Sequence, residues 1–159
     1  MTAAPNDVAT AYHEAGHAVL ALALGRPVHR VSIQPNQLRL GHCALQKGTS
    51  RRANDAVETE ILILLGGLVA EARHTGRYCL AGAAQDLRGV RSLTQARAGG
   101  ERQIERLERR MLDKAEHLLD QPGMWPAAVS IAEALLQSTT ISGRAARHLY
   151  EQAIAHSRQ

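Results

Sequence analysis

Apolar residues recur every three to four positions along most of this 159-residue chain, which is the period of helices that bury one face. The strongest such pattern covers 54–74 and predicts a long helix that Gly76 ends as a C-cap. Similar patterns predict five more helices, over about 8–24, 85–98, 104–118, 126–137 and 142–156. Ser142 is the predicted N-cap of the last of them.

Two stretches follow the two-residue period of strands instead. Residues 28–33 alternate apolar and polar side chains, and 38–45 alternate less cleanly after the turn residues Pro35 and Asn36. They predict a small β-hairpin or two short strands. The length suits one domain, and neither an internal repeat nor a linker divides the chain. The expected fold is therefore a single domain over 1–159, mainly α with a small β-sheet.

Composition narrows the classes of function. The chain has no Phe, one Trp and three Tyr, so its core must consist of Leu, Ile, Val and Ala, a mixture that favours helix packing. The net charge is only +4, and the arginines of the helix over 104–118 alternate with glutamates. This mixture is typical of a solvated helix face with local ion pairs. Nucleic-acid binding, which needs positive charge gathered on one face, is not expected.

Two further observations concern the compartment. Cys43 and Cys79 lie far apart and form no CxxC motif, which predicts two reduced thiols in a cytoplasmic protein. Residues 1–10 lack the basic start and apolar run of a signal peptide. The longest apolar stretch, 61–70, is short and interrupted by glycine, so no membrane segment is expected in this chain.

The motif His13-Glu14-Ala15-Gly16-His17 carries the candidate chemistry. Residues four apart share one face of a helix, with Cβ atoms about 5–6 Å apart, so both histidines can offer a nitrogen to one zinc ion. Glu14 is displaced around the helix and can accept a proton from a zinc-bound water. HExxH also arises by chance, and the alternative is two surface or capped histidines beside a glutamate paired with an arginine.

Two features of the motif need a structural explanation. Gly16 in a helix interior costs about 1 kcal/mol relative to Ala, which predicts that another backbone approaches closely there. A catalytic zinc site also needs a third protein ligand beside an open position. Spacing alone leaves open which residue supplies it, and the candidates are Asp86, Glu71, His74, His29, His42 and Cys79. Asp86 follows a Gly/Ala-rich loop at a helix start, where it can be a ligand or a charge favoured by the helix dipole.

Several blocks of sequence resemble, in order and with compatible spacing, the peptidase domain of the FtsH-type ATP-dependent zinc metalloproteases. They are TAYHEAGHAV at 10–19, PVHRVSIQP at 27–35 with Leu40-Gly41 after it, LGGLVAEA at 65–72, AGAAQDL at 81–87 and TISG at 140–143. The last block resembles the helix-turn-helix that closes that domain. Because these blocks span most of the chain, the resemblance is far more specific than HExxH alone.

The resemblance implies a mostly helical peptidase fold with a zincin-type HExxH helix. It implies that His13, His17 and Asp86 bind Zn²⁺, that Glu14 is the general base, and that Glu71 and Gly16 support the site. It further implies that a strand beside the cleft can pair with an extended substrate through main-chain hydrogen bonds. The residues of that strand are Leu40, Gly41, His42, Cys43, Ala44 and Leu45. The expected function is metalloendopeptidase hydrolysis of peptides or unfolded segments.

The chain also departs from that family. It contains no GxxxxGK[ST], so an AAA+ ATPase that feeds this domain would be a separate partner. Leu68 stands where the family has Arg after its paired glycines, and the segment that follows the Asp86 helix is shorter. That segment helps to form subunit contacts in the family, so homo-oligomerisation is left open. The alternatives are a weakly active or inactive interaction module with the same fold, and a peptidase subunit that a separate ATPase serves.

Overall fold

The computed structural model describes residues 4–35, 42–45 and 55–159. Six helices and three strands lie in these residues, and they confirm the predicted mainly helical fold with a small sheet. In chain order they are α1 (Pro5–Ala23), β1 (Val28–Ser32), β2 (His42–Leu45), α2 (Ala56–Thr75), α3 (Ala84–Arg97), α4 (Glu101–Leu119), α5 (Met124–Ser138), β3 (Thr140–Ser142) and α6 (Gly143–Ser157).

Helix α1 lies at the centre of the core. Every residue from Ala11 to Ala21 is buried, and the helix packs mainly on α2 and α5. The contact with α2 is very close at Gly16, because a Cβ atom built there would lie 2.1 Å from the carbonyl oxygen of Gly66. The backbone approach that Gly16 predicts is therefore present. It explains why a residue unfavourable to helices lies inside the HExxH motif.

Local signals set the ends of α2 and α6. The carboxylate of Asp55 accepts a hydrogen bond from the backbone N–H of Glu58 at 2.8 Å, which caps the start of α2. Gly76 ends α2 in the left-handed conformation with φ of 85°, as predicted. Ser142 caps α6 by accepting from the N–H of Ala145 at 3.1 Å, also as predicted.

The sheet has three antiparallel strands in the order β2-β1-β3. The sequence predicted β1 and β2, although Leu40 and Gly41 lie outside the described residues. It did not predict β3, whose three residues were interpreted as part of a helix-turn-helix. The α5–α6 connection is a strand because Thr139 ends α5 with a positive φ of 66°. The next residue, Thr140, then pairs with Ser32, and their hydroxyl oxygens are 2.7 Å apart.

The charged face of α4 pairs with a neighbouring helix. Arg91 of α3 contacts Glu101 at 2.7 Å and Glu108 at 2.8 Å, so these ion pairs join two helices. The sequence had suggested local pairs within α4. None of the helices in 4–35 and 55–159 is both long and apolar enough to cross a bilayer.

Candidate metal centre

The two motif histidines lie side by side on one face of α1. Both side chains are buried, with His13 7% and His17 6% exposed. Their ring centroids are 4.7 Å apart and the ring planes are nearly perpendicular, at 83°. The four-residue spacing has therefore brought the two imidazoles together, as the helical period predicts.

Asp86, in the first turn of α3, reaches both histidines. Its Oδ2 atom lies 2.8 Å from Nε2 of His13 and 3.1 Å from Nε2 of His17. Among the candidates whose side chains the structure describes, Asp86 is the one that the fold brings to both ring nitrogens at once. Three donor atoms, two imidazole nitrogens and one carboxylate oxygen, converge on one point from two helices.

The other candidates for a third ligand lie in different surroundings. The ring of His74 stacks on Tyr12 with centroids 3.8 Å apart. His29 is exposed on β1, and Cys79 is exposed in the loop before α3. The side chain of His42 lies outside the described residues. Glu71 is near the site, but it contacts His13 at Nδ1, the ring nitrogen that faces away from Asp86.

Helix α2 fixes both imidazole rings through their Nδ1 atoms, which face away from Asp86. His13 donates from Nδ1 to Oε2 of Glu71 at 2.9 Å, and His17 donates from Nδ1 to the carbonyl oxygen of Ile63 at 2.7 Å. A carbonyl oxygen only accepts, so Nδ1 of His17 carries a proton, and Nε2 of the same ring is turned towards Asp86. Such partners typically orient metal-bound histidines. The sequence singled out Glu71 but missed Ile63, because any residue type offers a carbonyl oxygen.

The electrostatics of the cluster suit a cation. Burial alone would lower the pKa of His13, but hydrogen bonds to Asp86 and Glu71 and the nearby Glu14 charge raise it to about 10. Burial would raise the pKa of Asp86, yet hydrogen bonds from the two histidines hold it well below its usual range. The site therefore gathers carboxylate charge around two ring nitrogens, and a divalent cation that bound these nitrogens would displace any proton they carry. Two imidazoles and a carboxylate are the ligand types that Zn²⁺ accepts.

Glu14 is the second carboxylate on this face. It is buried, and one of its oxygens lies within 4.8 Å of a ring nitrogen of each histidine. By distance alone, Glu14 is also a possible third ligand. Oδ2 of Asp86 is closer, within 3.1 Å of both Nε2 atoms, which makes Asp86 the stronger candidate for the third ligand. Glu14 is then close to the converging donors without being one of them.

A cleft of about 380 Å³ opens onto this cluster. His13, Glu14 and Asp86 lie in its wall, and so does Cys79. Further polar side chains in the wall, to which the sequence had assigned no role in the site, are Asn6, Thr10, Gln85 and Arg88. The side chains of residues 43–45 do not line this cleft, so the substrate strand beside it stays a prediction. The cleft gives a ligand access to the point where the three donors converge.

Comparison with known proteins identifies relatives of this chain. Residues 2–99 match the sequence model of peptidase family M41. The ATP-dependent zinc metalloprotease FtsH of Acidimicrobium ferrooxidans is 29% identical over an alignment of 188 positions, which covers 92% of this chain and 28% of that protein. The FtsH of Magnetococcus marinus is 47% identical over 66 positions, 39% of this chain and 10% of that protein.

A eukaryotic relative shows the same partial overlap. The ATP-dependent zinc metalloprotease YME1 homolog of Caenorhabditis elegans is 36% identical over 83 positions, 49% of this chain and 12% of that protein. The chain thus spans less than a third of the length of each of these relatives. Their names describe whole proteins, of which this chain matches one part.

Proposed function

This chain belongs to peptidase family M41, and we propose that it is a zinc-dependent peptidase that hydrolyses peptide bonds in peptides or unfolded segments. The observation that carries the proposal is the convergence of His13, His17 and Asp86, with Oδ2 at 2.8 and 3.1 Å from the two Nε2 atoms. These three residues would hold the zinc ion. The relatives of this chain include proteins named as zinc metalloproteases, which supports this choice of metal.

Each protein group has a defined task in this mechanism. Bound zinc supplies Lewis-acid activation of a water molecule and of the substrate carbonyl. Glu14 takes a proton from the attacking water and returns it to the leaving amine nitrogen as the C–N bond breaks. The hydrogen bonds from Nδ1 of His13 and His17 keep both Nε2 lone pairs directed at the metal position.

The substrate and partners are part of the proposal. We infer an extended peptide as the substrate, which pairs with the outer edge of β2, the strand that has β1 on its other side. A separate AAA+ ATPase that delivers unfolded chains is proposed because similar proteins are named as ATP-dependent. Association of several copies is proposed from the membership of the family alone. A cytoplasmic location is proposed from the two free thiols, Cys43 and Cys79.

The test combines metal content with proteolysis. Purified protein should contain about one zinc per chain. It should also cleave an unfolded substrate such as casein. Glu14→Gln should retain zinc and lose cleavage, because it removes the base and leaves the three ligands. Asp86→Asn should lose zinc as well as cleavage.

Glu105→Gln is the matched control, since the same chemical change is made on the exposed face of α4. It should behave as the wild type does. Equal cleavage by the wild type and Glu14→Gln would overturn the proposed mechanism. Zinc binding without cleavage of any unfolded substrate would instead favour an interaction module that keeps the peptidase fold.

A further inference from the structure

Helix α2 contacts both imidazole rings with three residues that lie one turn apart. Ile63 accepts the Nδ1 proton of His17, and Glu71 accepts that of His13. Gly67 lies midway between them, one turn from each, on the same face of the helix. Ile63 and Glu71 hold the Nδ1 atoms of the two rings. Gly67, which lies between them on the helix, therefore faces the region where the two Nε2 atoms converge.

Gly67 is in contact with the atoms proposed to bind zinc. A Cβ atom built on it would lie 2.5 Å from Nε2 of His17 and 2.7 Å from Nε2 of His13. Both distances are well inside van der Waals contact, which begins at about 3.5 Å. The same two nitrogens lie 3.1 and 2.8 Å from Oδ2 of Asp86. Even a methyl group at this position would therefore occupy the space that the two nitrogens share.

We propose that Gly67 is a positioning residue for the metal, and that its missing side chain reserves the coordination space between His13 and His17. The proposal rests on the proposed function, in which these histidines bind zinc. It separates the roles of two adjacent glycines. A Cβ on Gly66 would meet the carbonyl oxygen of Gly16 at 2.8 Å, so Gly66 serves the α1–α2 contact.

The rings have little freedom to move away from a new side chain. Each is held at Nδ1 by a hydrogen bond of 2.7 or 2.9 Å to α2, and both are buried. Rotation that relieved the clash at Nε2 would break these bonds or turn the lone pairs away from Asp86. Alanine at position 67 thus disturbs the ligand geometry although it is the better helix former.

The first experiment measures the zinc affinity of Gly67→Ala by competition with a chelator. We expect a loss of about 100-fold or more, at or beyond the upper end for residues that orient metal ligands. Gly89→Ala is the matched control. It lies inside α3, and its new Cβ would meet only the end of the Leu64 side chain, at 3.1 Å and beyond. This control should bind zinc as the wild type does.

Zinc binding distinguishes failure of the proposed function from failure of the proposed role of Gly67. If the wild type binds no zinc, the proposed function fails, and the role of Gly67 fails with it. If the wild type binds zinc and Gly67→Ala binds it equally tightly, the role of Gly67 is overturned while the proposed function stands.

The second experiment needs no metal and tests the contact itself. Gly67→Ala is introduced into the zinc-free wild type and into a His13→Ala, His17→Ala background, and thermal unfolding is followed in both. We expect the substitution to lower the unfolding midpoint of the wild type by several degrees, and to lower it much less or raise it where the rings are absent. The same shift in both backgrounds, or failure to fold in both, would overturn the proposal.

Discussion

The carboxylate of Glu71 holds the imidazole of His13 from the side opposite the converging donors, with Oε2 at 2.9 Å from Nδ1. Glu71→Ala removes this acceptor and leaves a buried N–H without it. We expect zinc affinity to fall about 10–100-fold, as is usual when such a partner is lost. Glu71→Gln, which keeps an oxygen acceptor, should lose less. Chelator competition measures both variants.

The control for these variants is Glu105→Ala, a change on the exposed face of α4. It should leave zinc affinity unchanged. Wild-type affinity in Glu71→Ala would show that the Glu71 hydrogen bond does not orient the ligand.

The close contact between Gly16 and Gly66 predicts a loss of stability in Gly16→Ala. The new methyl group would lie 2.1 Å from a backbone oxygen, which cannot rotate away as a side chain can. Overpacking of this kind costs about 1–3 kcal/mol, more than the roughly 1 kcal/mol that Ala gains in helix propensity. Chemical denaturation should therefore show a lower free energy of unfolding. An increase in stability would mean that the two helices are further apart.

The N-cap of α2 predicts a pH-dependent contribution to stability. Hydrogen bonds from Arg97 and from the backbone of Glu58 lower the pKa of Asp55. A carboxyl group with a lower pKa in the folded state stabilises the fold above its unfolded pKa, and this contribution is lost as pH falls through the folded value. Asp55→Ala should cost about 1 kcal/mol at neutral pH. The difference from the wild type should shrink below pH about 4, near the ordinary pKa of Asp.

Thermal unfolding at several pH values checks this prediction. Asp55→Asn is the informative comparison, because it keeps an oxygen acceptor for the N–H of Glu58 and loses the charge that Arg97 contacts. A stability difference between the wild type and Asp55→Ala that is independent of pH would contradict the assigned role of the carboxylate.

The positive φ of Thr139 predicts a stabilising substitution. A β-branched residue at φ of 66° is strained, by about 1–3 kcal/mol for such conformations, whereas glycine adopts positive φ freely. Glycine loses roughly 0.5–1 kcal/mol through its greater freedom in the unfolded chain. Thr139→Gly should therefore raise the free energy of unfolding by about 1 kcal/mol. The backbone bond from Ile33 to the Thr139 carbonyl is unaffected.

Thr140→Gly provides the comparison for this variant. Thr140 lies in β3 and its hydroxyl contacts that of Ser32 at 2.7 Å, so the same change one residue later should lower stability. Equal effects at the two positions would argue against strain at Thr139.

The sequence predicted the features that depend on residues close together along the chain. The six helices, the caps at Gly76 and Ser142 and the shared face of His13 and His17 follow from local periodicity and capping. Asp86 was one of six candidates until the family resemblance singled it out, because its approach depends on how α3 packs, 69 residues beyond His17. Strand β3 was missed because three residues are too few to show a strand period.

The part of the chain that the family model matches is smaller than the unit that folds. The match to the family covers residues 2–99, yet α5 lies beyond it and closes one side of α1 with the fully buried Ala127, Ala128 and Ile131. The helix that carries both imidazoles thus depends on a stretch that supplies no chemistry of its own. Those residues contribute only volume and shape to the contact, and that contact keeps the two imidazoles in register with the rest of the site.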